Sequence, residues 1–215
     1  MKSTILVFFT LLIAAACSTL KKPEPIPPAP PIKLVWEESK PERAAWSKIV
    51  TKNIEANFAD YAKAKDAGLY CTKFAALNHQ QQVAVFSQLI VAISKFESSW
   101  NPKAGMVETA MGTDPVTGAQ VVSSGLLQLS YQDGPNWKTK APACSALNFA
   151  KKNINDVELN LTCGIQILAR LIARDGTISS PTARKVAGGR YWSVLWPDKR
   201  QGQIKAIVQK LPFCN

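Results

Sequence analysis

A single histidine, His79, stands in the 215 residues of this chain. A multi-histidine metal site is therefore excluded, and a serine-histidine-aspartate triad has only one residue to serve as its base. His79 itself sits in a polar NHQQQ stretch, where a surface position at a helix start is its expected role. A glycine-rich phosphate loop is also missing, since VAGGR at 186–190 lacks the lysine and the flanking glycine such a loop needs. The one long apolar run, Ile5 to Ile13, is too short to span a bilayer comfortably. No internal repeat and no alternation of strand and helix patterns are present, so a mainly helical chain remains. Acids are scarce as well: 15 Asp and Glu face 26 Lys and Arg, a formal charge of +11. Such an excess favours an anionic partner, whether nucleic acid, a membrane surface or an acidic cell wall. The basic residues are scattered (Lys48, Lys73, Lys103, Lys151, Arg170, Arg184, Lys199), with no tail or dense basic helix, and no nucleic-acid partner is expected.

What is there begins with an address. Lys2, the apolar run and Ala14-Ala15-Ala16 have the order of an export signal over residues 1–16, so a location outside the cytoplasm is expected. Removal after Ala16 exposes Cys17, and LLIAAAC resembles the lipobox of bacterial lipoproteins, with Ala14 where a leucine is usual. That resemblance implies a lipid on Cys17, membrane attachment, and a periplasmic protein anchored to the outer membrane. Setting Cys17 aside leaves Cys71, Cys144, Cys163 and Cys214, an even number that suggests two disulfides in an exported chain. Of three possible connectivities, Cys144 with Cys163 and Cys71 with Cys214 is the one expected. Residues 17–40 carry prolines at 23, 25, 27, 28, 30 and 31 and read as a semi-rigid tether. The remainder, 41–215, is long enough for one domain with a proper core.

Within it, one or two helices are predicted from Pro41 to about Gly68. A clearer amphipathic helix carries Phe86, Leu89, Ile90, Ile93 and Phe96 at intervals of three and four. Residues 103–122 turn rich in Gly, Thr, Asp and Pro and predict a loop or small hairpin turning at DPVTGA. A short helix is expected at SGLLQLS, a long one from about Asp156 to Arg174, and one or two more towards the end.

The helix through Phe86 stops on a carboxylate, Glu97, just before Asn101-Pro102. At about 100° per residue, Glu97 points within roughly 20° of Phe86 and Ile90, so it lies on the apolar face. Burial there disfavours the charged form, and the negative end of the helix dipole acts the same way. Both keep a proton on the acid near neutral pH, the state needed to protonate the leaving oxygen of a glycosidic bond.

FESSWNP around this acid resembles the first motif of the soluble lytic transglycosylase and goose-type lysozyme superfamily. SSGLLQLS, about 27 residues on, is similar to that family's Gly-Leu-Met-Gln-Ile motif with Leu127 for the methionine, and VELNLTCGIQILARL resembles its third. The likeness runs from about Gln80 to Trp192. It implies a lysozyme-like fold, mainly α with a small β excursion after the catalytic helix. It also implies a cofactor-free enzyme acting on peptidoglycan glycan strands. Glu97 would be the general acid and then the base, with Ser98 bordering the site. Gly125 would let a sugar approach the backbone, and Gln128 would hydrogen-bond it. Asn160 would support the site from within, and Gly164 would pack closely against the catalytic helix. The family's fourth motif, Ala-Tyr-Asn-Ala-Gly, has no counterpart; AGGRYWSVLW stands in its region, with Tyr191 as candidate cleft tyrosine and Trp192 or Trp196 as sugar platforms.

Hydrolysis needs a second carboxylate about 5 to 9.5 Å from the first. Asp114 and Asp133 are candidates, and Glu108 is a third. A lytic transglycosylase works with one glutamate, because the muramic acid's own hydroxyl closes a 1,6-anhydro ring, and that reaction is the expectation. The alternatives are a lysozyme-type muramidase and a non-catalytic wall-binding lipoprotein.

Overall fold

A computed structural model describes residues 32–215. The expected export signal, Cys17 and the six prolines of the tether lie outside the described residues. Seven α-helices follow in order: α1 (Trp36–Ser39), α2 (Ala44–Ala56), α3 (Phe58–Tyr61), α4 (His79–Ser98), α5 (Asp133–Trp137), α6 (Val157–Asp175) and α7 (Gln201–Val208). Two short antiparallel strands, β1 (Gly105–Val107) and β2 (Val122–Ser124), lie between α4 and α5, with Met106 opposite Ser123. The architecture is therefore a helical domain with one small hairpin directly after α4.

The folded unit starts at Ile32, earlier than the expected boundary at 41. Leu34 and Trp36 are buried in the core, and Trp36 Nε1 donates to Ser47 Oγ at 2.7 Å. Val35 N donates to Gln88 Oε1 on α4 at 3.1 Å, so this stretch is stitched to the domain and is not tether. Proline density ends at residue 31, and the apolar pair that follows is what the core recruits.

Helix α4 is the axis of the molecule. Asn78 starts it with a capping box: its side chain accepts from Gln81 N, and the Gln81 side chain accepts from Asn78 N, both at 3.0 Å. From Val83 to Ser94 every residue is buried, so the helix predicted to be amphipathic is enclosed on all sides in its middle, with α2 and α7 packed against it. Its end is abrupt because Ser99 and Trp100 both take the left-handed conformation, at φ 52° and 60°. Two such non-glycine residues in a row are costly, which fixes where Glu97 stops being surrounded by helix.

The second long helix, α6, is capped by Asp156, whose Oδ1 accepts from Leu159 N at 2.9 Å, and stopped by Gly176 at φ 69°. It packs on α2 and α3. Disulfides join Cys71 to Cys214 and Cys144 to Cys163, the second tying the 142–146 turn to α6. One expected helix is absent among the described residues, and the closing segment supplies one α-helix, α7. SGLLQLS forms a closed turn, in which Ser124 and Leu129 exchange backbone hydrogen bonds at 2.7 and 2.9 Å. AGGRYWSVLW forms two 3-10 turns, Ala187–Arg190 and Ser193–Leu195, and no α-helix.

Candidate active site

Glu97 opens into a cleft of about 320 Å3. The end of α4 forms its floor, the hairpin gives one wall with Met106, Glu108 and Met111, and the 185–196 segment gives the other with Tyr191 and Trp196. Gln128 and Asp133 complete the lining. Among the described residues nothing donates a hydrogen bond to the Glu97 carboxyl, and this absence decides its chemistry. Burial without donors penalises the charged form, and the negative charge of Glu108 adds to the penalty, so the Glu97 pKa rises to about 7. An acid with that value still carries its proton in about half the molecules at neutral pH.

The turn at 124–129 is built from three directions. Asn160, buried on α6, donates from Nδ2 to Ser124 O (3.1 Å) and Ile154 O (3.0 Å), and its Oδ1 accepts from Leu127 N (2.9 Å). Ser98 Oγ shares its proton between Ser94 O (2.9 Å) and Leu126 O (3.0 Å). Trp192 Nε1 donates to Leu127 O at 2.8 Å. Helix α4, turn, α6 and cleft wall are thus locked together by largely buried polar groups.

That network corrects several sequence expectations. Ser98 does not border the cleft, because its hydroxyl is consumed inside the protein. Gly125 does not offer its backbone to a sugar: it sits at φ 79°, and a Cβ there would lie 2.3 Å from Asn160 Nδ2. Its requirement is the left-handed turn and the passage of Asn160. Gly164 packs against Leu127, whose Cδ1 lies 2.5 Å from where its Cβ would be, so the nearest neighbour is the 124–129 turn. Trp192 is buried and spent on Leu127 O, which leaves Trp196 as the half-exposed tryptophan of this wall. Gln128 does line the cleft; its Nε2 is committed to Gly125 O (2.8 Å) and Ala104 O (3.3 Å), and nothing among the described residues donates to its Oε1.

The other acids have other tasks. Asp114 is buried away from the cleft and accepts from Val116 N (2.8 Å) and Gln132 N (3.1 Å), which makes it the anchor of the hairpin turn. Asp133 lines the cleft but accepts from Ser130 N at 2.8 Å, from Ser130 Oγ at 3.2 Å and from the Tyr191 hydroxyl. Burial raises its pKa, and those three donors hold the rise back. Tyr191 lines the cleft, and its hydroxyl donates to Asp133. Glu108 is the remaining cleft carboxylate, on the hairpin just past β1.

One supporting residue had no sequence signal. Asp175, at the end of α6, accepts from Ala187 N (2.6 Å) and Arg190 Nε (2.9 Å) and fixes the far wall. Burial would raise its pKa, but hydrogen bonds from Arg190, Ala187 and Arg174 outweigh this and hold it at about 2. Of the two cations on that wall, Arg190 is paired this way, and Lys185 makes no ion pair among the described residues.

The chain thus presents a cleft with one glutamate of raised pKa between a hairpin and an aromatic wall. The sequence model of the transglycosylase SLT domain matches residues 74–186, more than half of the chain, and the chain belongs to that family. Its substrate class is accordingly peptidoglycan. Among solved structures it is similar to Bd0314 DslA in its wild-type form 2, at 26% identity and a TM-score of 0.71, over 87% of this chain and 100% of that one. Two variants of DslA, each with one glutamate exchanged for glutamine, match at 25% and 27% identity with TM-scores of 0.72 and 0.70 over the same shares. No curated protein matches the chain.

Proposed function

We propose that the enzyme cuts the β-1,4 bond between N-acetylmuramic acid and N-acetylglucosamine, with Glu97 as acid and then base and a 1,6-anhydro sugar as product. The observation that carries this reading is Glu97 itself: an acid at the cleft floor, without donors among the described residues, whose pKa is raised to about 7. In the first step its O–H protonates the glycosidic oxygen while the bond from that oxygen to C1 of the muramic acid breaks, leaving positive charge on C1 and the ring oxygen. In the second, the Glu97 carboxylate takes the proton of the C6 hydroxyl as O6 bonds to C1. The ring closes and Glu97 is protonated again, so no water is consumed.

Glu108 gives the cleft a negative charge that faces the developing cation. The two glutamates exchanged in the DslA variants lie eleven positions apart in that chain, the interval that separates Glu97 from Glu108 here. The same residue favours a second reading, in which Glu108 orients a water that attacks C1 and the enzyme is a muramidase. Export through residues 1–16, lipid attachment at Cys17 and a proline-rich tether would place the domain at the wall, and its positive charge would keep it there.

Mass spectrometry of products from purified peptidoglycan separates the readings. Anhydro ends that vanish with Glu97→Gln support the first, and reducing ends support the second. Release by neither protein, with both bound to the wall, would contradict both and leave a binding module.

A further inference from the structure

Outside the cleft, a second concavity has a volume of about 510 Å3 and lies against the turn that ends α4, lined by residues 99–102 and by Lys40, Glu42, Arg43 and Trp46. It shares no lining residue with the cleft. At its base is Arg43, a residue only 7% exposed. Its Nη1 donates to Trp36 O and Ser39 Oγ and its Nη2 to Trp100 O, each at a long 3.4 Å. The Nε finds no acceptor, and among the described residues no carboxylate lies within ion-pair distance of the group. A buried cation satisfied only by neutral acceptors is costly to keep, and an anion at the remaining Nη N–H would offset that cost.

The walls narrow the choice of anion. Arg43 lies over the rings of both Trp46 and Trp100, at 5.4 and 5.2 Å, and Lys95 lies over Trp100 at 4.9 Å. Ring faces already covered by cations do not offer a sugar-stacking platform. What stays open is donor groups, ring edges, and the exposed ammonium of Lys40, set against the single acid Glu42. A small carboxylate with methyl groups beside it matches that surface, and the volume suits a ligand of a few small residues.

We propose that this cavity is a second binding site that takes the free carboxylate end of a peptide stem carried by the glycan, with Arg43 and Lys40 holding the carboxylate. It rests on the peptidoglycan reading of the cleft and extends it, because a stem held beside residues 99–102 is held at the end of the helix that carries Glu97. Recognition of this kind selects strands by the state of their peptides.

The test follows the indole N–H signals of Trp46, Trp100 and Trp196 by NMR in the full chain carrying Glu97→Gln. The probes are N-acetyl-D-alanyl-D-alanine, its C-terminal amide, and chitotetraose. The peptide shifts Trp46 and Trp100, and its amide binds about tenfold more weakly, since a charge-assisted contact is lost. Lys40→Glu, at an exposed rim position that the core does not use, weakens the peptide about fivefold and leaves chitotetraose unchanged; Arg43→Gln is the harsher variant. Equal binding of peptide and amide, shifts confined to Trp196, or no shift at millimolar peptide would overturn the proposal. A peptide response without any chitotetraose response supports the pocket and counts against the cleft reading, so the two fail separately.

Discussion

Glu97 and Asp133 are two acids lining one cleft, the first partly and the second fully buried, and their surroundings differ in one further respect. Asp133 accepts three hydrogen bonds, and Glu97 accepts none among the described residues. Both have raised pKa values because both have lost water. In Asp133 the donors return part of what burial removes, and the group serves to hold Tyr191 and the 130–133 turn. In Glu97 nothing is returned, the repulsion of Glu108 adds to the penalty, and the proton is held to higher pH. The difference teaches where the fold spends polar groups: on everything around the acid, and not on the acid.

The largest expected effect comes from deleting the proton donor. Glu97→Gln lowers turnover of purified peptidoglycan about 10³-fold, within the range assigned to a positioned general acid, as followed by release of soluble muropeptides. Asp133→Asn keeps an acceptor for Tyr191 and costs far less. Equal losses from the two variants would erase the contrast.

Next is a pH dependence of stability. The folded pKa of Glu97, about 7, lies above its ordinary 4.5. As pH rises past 4.5 the unfolded chain gives up this proton and the folded chain does not, so stability falls with rising pH across that window and levels off above about 7. Taken over the whole window the loss is about 3 kcal/mol. Urea denaturation at pH 5 and pH 8 therefore shows a smaller drop in Glu97→Gln than in the wild type, and that variant is the more stable at pH 8. An identical drop in both would mean that the acid ionises as freely in the fold as outside it.

Removing the other acid has the opposite sign. Asp133→Ala strands Ser130 N and the Tyr191 hydroxyl without their acceptor and destabilises the domain by about 2 kcal/mol, measured as a lower urea midpoint. The smallest effect sharpens the account most. Glu108→Gln removes the charge that adds to the rise in Glu97, and the midpoint of the activity profile governed by Glu97 moves down by a few tenths of a pH unit, at a lower maximal rate.

The position of Glu97 was legible in the sequence because helical period alone carries residue 97 back over Phe86 and Ile90. The hairpin was legible from its change of composition, and the family from three motifs in order. The residues around the acid were misread where a motif position was taken as a cleft position. Ser98 and Gly125 are demanded by the 124–129 turn and by Asn160, which approaches from a helix more than thirty residues away. The pairing of Asp133 with Tyr191 spans 58 residues and follows no period. Glu108 could be named but not placed, since only the fold of the hairpin turns it towards the floor of the cleft. Trp36 was assigned to the tether because proline density was read beyond its last proline, at residue 31.

The central claim is that Glu97 keeps its proton to near neutrality. Carbon NMR titration of the glutamate side-chain carboxyls, with the Glu97 signal identified by its loss in Glu97→Gln, reads this directly. A midpoint near pH 7, moving down in Glu108→Gln, is the result this account predicts. A midpoint near 4.5, unmoved by Glu108, would contradict it, and the search for the proton donor would pass to Asp133.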